Sequence, residues 1–243
     1  MSPTEETDRS LLRIDGLDAG YGEALVLDAL DLSMGVEALA VVGRNGMGKT
    51  TLCQTILGLV PQRSGSITFD GTDLGPMATE ARARTGIGYV PQGRRLFRSL
   101  TVDEHLAMLE PGTRGKRWTA DAVYDLFPRL AERKRSGGGD LSGGEQQMLA
   151  VGRALLLNSS LLIMDEPSEG LAPAIVDVMI DVVRRLVDEG VAVLVVEQNL
   201  QAAAAMADRV SIMVSGRIEL ETTPETLTAD TDLQRRYLGV GQH

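Results

Sequence analysis

The 243-residue sequence predicts an α/β domain with a mostly parallel sheet, and three observations carry that prediction. Short apolar runs at Leu39–Val42, Leu161–Met164 and Val191–Val196 have the length and hydrophobicity of strands buried on both faces. Amphipathic helical patterns lie between such runs, clearest in Pro173–Glu189. There Ile175, Val176, Met179, Val183, Leu186 and Val187 form one face, and Asp177, Asp181, Arg184, Arg185 and Asp188 the other. Thirdly, the run ending at Val42 opens into a glycine-rich turn followed by the helix-like Thr51–Leu57. Strands alternating with helices build a parallel sheet.

Taken in order, residues 1–10 are polar and acidic and read as a disordered tail. Leu11–Leu17 and Leu25–Leu32 alternate apolar and polar residues and predict N-terminal antiparallel strands, joined by a turn at Ala19-Gly20-Tyr21-Gly22. After the helix at 51–57, Pro61–Ser64 is expected as a loop, Ser66–Asp70 as a strand and Gly71–Gly75 as a turn. Ala78–Arg84 predicts a short helix and Ile87–Val90 another buried strand, ended by Pro91-Gln92-Gly93. Residues 93–140 form a small helical insertion, with helices over Leu100–Leu109 and Thr119–Arg135 and a Gly137-Gly138-Gly139 run closing it. Trp118 is assigned to packing there. A further helix begins at Ser142, and Leu200–Ala207 is another. Val210–Val214 and Arg217–Glu221 pair around Ser215-Gly216, and residues 224–243 form a helical tail.

Composition narrows the function. A hydrophobic share of 43% supplies a sizeable core, and a net charge of −10 argues against gripping nucleic acid through the overall field. The single cysteine, Cys53, excludes an intrachain disulfide and a cysteine-rich metal site, and its place in a helix predicts a packed thiol. The start has no apolar stretch of the kind a secretory signal needs, and no run approaches the ~18 residues of a membrane span. The expectation is a cytosolic chain that reaches a membrane only through a partner.

Gly43, Gly48, Lys49 and Thr50 match G-x-x-x-x-G-K-[ST], the phosphate-binding P-loop. Its glycines let backbone N–H groups approach a triphosphate, Lys49 reaches the β- and γ-phosphates, and the Thr50 hydroxyl supplies one Mg²⁺ position. The helix starting near Lys49 aims its positive end at the same anion. Leu161–Glu166 is an apolar strand ending in two acids. Alone, these are a solvated strand end; paired with a P-loop they take the Walker B form. Asp165 would then hold Mg²⁺ and Glu166 accept a proton from the attacking water. In Leu141-Ser142-Gly143-Gly144-Glu145-Gln146-Gln147, Ser142 caps a helix with Glu145 as its capping-box partner.

Together the P-loop, the Walker B strand and L-S-G-G-E-Q resemble the ATP-binding cassette (ABC) ATPases, from about Leu11 to Leu238. The resemblance implies a P-loop NTPase core in two parts, 11–92 and 141–223, with residues 93–140 as the helical subdomain. It implies that Tyr21 stacks on adenine and that Gly43, Arg44, Asn45, Gly46, Met47, Gly48, Lys49, Thr50 and Thr51 hold the ATP phosphates. Gln92 matches the Q-loop glutamine, touching Mg²⁺ and the attacking water, and the Arg94–Arg98 region after it docks a membrane subunit. Two ATPase chains pair head to tail in this family, so Ser142, Gly143 and Gly144 face the γ-phosphate held by the other chain. A helix N-terminus with a hydroxyl and two glycines suits that anion.

Two positions depart from the commonest pattern. Where a switch histidine follows the Val191–Val196 strand, this chain has Gln198; its only histidines are His105 and His243. Gln198 can hydrogen-bond a γ-phosphate oxygen but carries no imidazolium charge. The D-loop aspartate position is Ala172. Both departures are similar to the LivF-type ATPase subunit of branched-chain amino acid importers. So are Val-Pro-Gln-Gly-Arg-Arg-Leu-Phe at 90–97, Leu-Phe-Pro-Arg-Leu at 126–130 and the closing Tyr237-Leu238-Gly239. Relatives of that subgroup serve urea and short amides. The implied assembly has two permease subunits, a second ATPase subunit and an external solute-binding protein, with this chain on the cytoplasmic face of the membrane. The competing expectation is an ABC ATPase acting as a mechanical clamp on ribosomes or DNA. That class usually carries two cassettes or a long coiled-coil insertion, and this chain has one P-loop and a short insertion.

Overall fold

The computed structural model describes residues 10–109 and 117–239. The tail expected at the N-terminus therefore lies outside the described residues except for Ser10, as does His243. In chain order the core elements are β1 (Leu12–Tyr21), β2 (Ala24–Met34), β3 (Ala38–Val42), α1 (Lys49–Ile56), β4 (Gln62–Phe69), β5 (Thr72–Asp73), α2 (Thr79–Arg84) and β6 (Ile87–Val90). The helical segment contains α3 (Val102–Ala107), α4 (Ala120–Leu126) and α5 (Pro128–Glu132). Then come α6 (Gly143–Leu155), β7 (Leu161–Asp165), α7 (Pro173–Asp188), β8 (Ala192–Glu197), α8 (Leu200–Met206), β9 (Arg209–Val214), β10 (Arg217–Thr222), α9 (Pro224–Ala229) and α10 (Thr231–Leu233).

Two sheets organise these elements. An antiparallel sheet has the order β2-β1-β4-β5, and a larger one the order β10-β9-β3-β8-β7-β6, in which only β10 runs against its neighbour. β3 is apolar throughout, and β7 and β8 at every position but their last, because both faces are covered. Leu161 and Ile163 of β7 pack towards α1 and the antiparallel sheet, with Leu52, Ile56, Leu27 and Phe69. Leu162 and Met164, one pleat step away, pack on the opposite side with α6 and α7, through Leu149, Val151, Met179 and Val183. This alternation over two buried faces explains why the runs read as continuous rather than amphipathic. Cys53 is fully buried in the first core, and burial pushes its thiol well above the usual range, as a packing role requires.

Several expected boundaries move, some through strand pairing and some through local capping. The turn placed at Ala19–Gly22 is strand as far as Tyr21, and the loop placed at Pro61–Ser64 is strand from Gln62. β1 supplies the missing ladder, pairing Ala19 with both Leu27 and Gln62. Glycine is needed in this stretch at Gly65, at φ +78°, where a Cβ would lie 2.5 Å from the Asp15 carbonyl. The helix expected over Thr119–Arg135 is two short helices broken at Phe127-Pro128, since proline opens a helix but cannot continue one. The tail is likewise divided at Asp230, whose carboxylate accepts from the Asp232 and Leu233 amides and starts a new turn. α3 starts later than expected, behind a Thr101–Glu104 capping box that the T-x-x-E spacing encodes.

Trp118 is buried against the helical core, as packing predicts. His105 is fully buried: its Nε2 accepts from the Phe97 amide at 3.0 Å and its Nδ1 lies 2.8 Å from the Thr101 carbonyl. It fastens the loop after β6 to α3.

Candidate functional site

The carboxyl ends of β3, β8, β7 and β6 lie side by side, and that edge of an open α/β sheet is where ligands bind. A cleft of about 880 Å³ opens there, lined by Asn45, Gly46 and Gly48–Thr51 from one side and by Gln92, Glu166, Ser168, Glu169, Glu197 and Gln198 from the other. Four separate stretches of sequence thus converge on one space.

The loop between β3 and α1 is shaped by two glycines. A Cβ at Gly43 would come within 2.6 Å of the Met213 carbonyl, and Gly48 sits at φ +107°, a conformation side chains rarely adopt. Met47 anchors the loop from behind: its carbonyl accepts from the Gly216 amide at 2.9 Å and its sulfur from the Ser215 amide at 3.3 Å. Lys49 is 5% exposed, and its Nζ donates to the carbonyls of Gly43 at 2.9 Å and Arg44 at 3.2 Å. The same ammonium lies 3.4 Å from Glu166 Oε1, so a buried cation and the acid at the end of β7 face each other across the cleft.

Asp165 is 2% exposed, and both its oxygens are occupied. Oδ1 accepts from the Thr50 hydroxyl and Oδ2 from the Tyr89 hydroxyl, each at 3.1 Å. Burial pushes the Asp165 carboxyl above the usual range, against the two hydroxyl hydrogen bonds that pull it down. Burial likewise raises the Tyr89 hydroxyl, keeping it a neutral donor. Tyr89 is a contributor that the sequence reading missed. Its signal was the strand itself, since it precedes Val90 on β6 and pairs with Ile163 of β7.

A carboxyl raised on folding favours the folded state below its unfolded pKa and loses that contribution as pH rises through its folded value. At neutral pH, then, ionised Asp165 costs stability. We expect Asp165→Asn to raise the thermal midpoint of the nucleotide-free protein by about 2–4 °C at pH 7–8, measured by calorimetry, with the gain shrinking below pH 5. A lowered midpoint would contradict this account of the buried acid.

Glu166 leaves the strand at φ +51°, a left-handed conformation uncommon outside glycine, and its amide donates to the Val196 carbonyl at 2.9 Å. That turn separates it from Asp165 and directs it to the cleft, where Gln92 Nε2 donates to its Oε2 at 3.2 Å and to Glu169 Oε2 at 3.0 Å. Gln198 is exposed at the rim, its amide donating to Glu197 Oε2 at 3.1 Å. Glu197 and Glu169 were given no role from the sequence; Glu197 closes the β8 run and Glu169 lies in the loop beyond β7.

The remaining expected residues lie elsewhere. Tyr21 does not line the cleft; it is 52% exposed and its hydroxyl donates to Gln54 Oε1 at 2.9 Å. Ser142 caps α6 as expected, accepting from the Glu145 amide at 3.3 Å while Glu145 accepts from the Ser142 amide at 2.8 Å. Ser142, Gly143 and Gly144 are not among the cleft residues of this chain. No cluster of three or more His, Cys, Asp or Glu that could hold a metal is present among the described residues. The adjacent Thr50 hydroxyl and Asp165 carboxylate nonetheless fit Mg²⁺, which takes few protein oxygens and completes its shell with phosphate and water.

Comparison with known proteins places this geometry. The family model described as ABC transporter matches residues 28–169. The chain is 41% identical to the high-affinity branched-chain amino acid transport ATP-binding protein BraG of Pseudomonas aeruginosa, over 94% of this chain and 100% of that one. It is 34% identical to the probable branched-chain amino acid transport ATP-binding protein LivF of Archaeoglobus fulgidus, over 95% and 99%. It is 33% identical to the lipopolysaccharide export system ATP-binding protein LptB of Haemophilus influenzae, over 95% and 98%. Among solved structures, a nucleotide-free ATP-binding cassette from an ABC transporter superposes with a TM-score of 0.82 at 23% identity, covering 96% of this chain and 100% of that one. A cassette solved as a dimer in a post-hydrolysis state with ADP and Pi gives 0.75 at 22%, covering 88% and 98%. With its P-loop, acidic strand end and capped glycine pair in place, the chain belongs to the ABC transporter family, as an ATP-binding, ATP-hydrolysing subunit of a transporter.

Proposed function

We propose that this chain energises uptake of branched-chain amino acids, or of related small solutes such as urea and amides. In this reading it pairs with a second ATPase subunit and drives two permease subunits from the cytoplasmic face of the membrane. The observation that carries the reading is its 41% identity, over nearly its full length, to a branched-chain amino acid transport protein. An external solute-binding protein delivers the solute. No helix among the described residues is long and apolar enough to cross a membrane, so the permeases provide the passage.

The site residues take the following roles. Lys49 exchanges its carbonyl and Glu166 partners for the β- and γ-phosphates, and the amides of Gly43–Thr51, with Arg44, Asn45, Gly46 and Met47 among them, cradle those phosphates. Thr50, Asp165 and Gln92 would hold Mg²⁺, which neutralises charge on the phosphates when bound. Glu166 is the general base towards water, freed as Lys49 turns to the phosphates and oriented by Gln92. Gln198 hydrogen-bonds the γ-phosphate from the rim, and Tyr21, outside the cleft itself but tied to α1 through Gln54, offers its exposed ring to adenine. Ser142, Gly143 and Gly144 serve the ATP of the partner subunit, in keeping with their absence from this chain's own cleft and with the dimeric relative holding ADP and Pi. The groove formed by Tyr89, Pro91, Arg94, Arg95 and Leu157, about 190 Å³, is the docking place for a permease segment, extending the expectation for Arg94–Arg98.

The likeness to LptB supports a second reading, in which the chain drives export of a lipid-linked solute. Reconstituting the chain with its permeases and binding protein separates the two. Leucine, isoleucine or valine should stimulate ATP turnover about tenfold. Stimulation by urea or short amides alone would move the substrate within the importer reading, and stimulation by lipopolysaccharide alone would favour the exporter.

A further inference from the structure

Glu197 ends β8, the parallel neighbour of β7 in the sheet, and is 2% exposed. Its two carboxylate oxygens serve two different loops. Oε1 accepts from the Ser168 amide at 2.8 Å, in the loop that follows Glu166. Oε2 accepts from the amides of Gln198 at 3.1 Å and Asn199 at 3.2 Å, in the loop that carries the switch glutamine. No arginine, lysine or histidine pairs with Glu197 in any ion pair among the described residues; burial pushes its carboxyl above the usual range, and hydrogen bonds from the two loops, the Ser168 side chain included, pull against that rise. Hydrogen bonds to an ionised acceptor are the strong ones, and an ionised carboxylate has acceptor sites to spare for three.

The loops it joins need holding. Glu166 adopts a left-handed conformation that persists only when its surroundings over-determine it, and its sole backbone tie to β8 is the bond from its amide to Val196. The Glu197–Ser168 bond is a second tie, two residues further on. On the other side Asn199 continues the hold, its Oδ1 accepting from the amides of Gln201 and Ala202 at the start of α8.

We propose that Glu197 is a positioning residue that staples the switch loop to the D-loop, so that Gln198 and Glu166 are presented to the γ-phosphate as one unit. The proposal rests on the roles given above to Glu166 and Gln198. It assigns Glu197 no contact with the reacting atoms.

Glu197→Gln tests this with little change of shape. The amide keeps one acceptor oxygen and turns an NH₂ group against the donors of the other loop, opening the staple on that side. Hydrogen–deuterium exchange of the Ser168, Gln198 and Asn199 amides reads the staple directly, without turnover. We expect exchange to rise about tenfold in at least one of the two loops. The turnover number should fall about 10- to 100-fold per folded molecule, as misplacement of reacting groups implies, with ATP affinity within about twofold of wild type. Glu197→Asp, which keeps two acceptor oxygens, should recover part of the lost turnover. Wild-type turnover in Glu197→Gln, unchanged exchange in both loops, or a parallel loss of affinity and turnover would each overturn the proposal. Failure of the base assignment is separable: it would appear as retained turnover in a Glu166 variant, while the exchange result stands by itself.

Discussion

Lys49→Ala should abolish measurable ATP binding, weakening affinity about 100-fold or more, a loss of ~3 kcal/mol. The ammonium is buried, and in the nucleotide-free protein it is held by two P-loop carbonyls and Glu166. These partners keep it extended along the loop, so little reorganisation is needed when phosphate oxygens replace them. The substitution removes the cation and leaves Glu166 facing the phosphates uncompensated, so both changes act in the same direction. Isothermal titration with ATP reads the effect, with the circular dichroism spectrum as a check on folding. Unchanged affinity would sink the assignment of Gly43–Thr51 as the phosphate loop.

Glu166→Gln should behave oppositely: ATP binding is retained, and turnover falls about 10²- to 10⁴-fold, the range for losing a general base. The amide oxygen can still accept from Gln92, and the φ +51° turn at this position does not depend on the charge. What disappears is the group that takes the proton. Turnover equal to wild type would remove Glu166 from that role.

Much of this was legible in the sequence because the chemistry demands particular residues at fixed spacing. The P-loop needs Gly43 where the backbone of Met213 approaches, and Gly48 where φ is positive. The Ser142–Glu145 capping box was readable for the same reason, its two hydrogen bonds being local. Strands β3, β7 and β8 were readable because two-sided burial leaves a nearly unbroken apolar run. What escaped was non-local. Gln62 looks like loop until β1 pairs with it. Tyr89, Glu169 and Glu197 belong to the site only because parallel pairing sets the ends of β6, β7 and β8 side by side. A tyrosine or glutamate after an apolar run carries no mark of that neighbour.

The loop carrying Gln198 is held by the Glu197 carboxylate, and the loop ending at Ala172 by the backbone bond from the Leu171 amide to the Ser168 carbonyl. On the roles proposed above, hydrolysis leans on Glu166 and on the geometry around it, since position 198 is a glutamine and not an imidazole.

The central claim is that this ATPase works on permeases at a membrane. A tagged Glu166→Gln chain, expressed in its own cells and recovered with ATP and Mg²⁺ from gently solubilised membranes, tests it most directly. The account predicts two polytopic membrane proteins and a second ABC ATPase in the recovered complex. Recovery with ribosomes or DNA, or nothing from the membrane fraction, would contradict it.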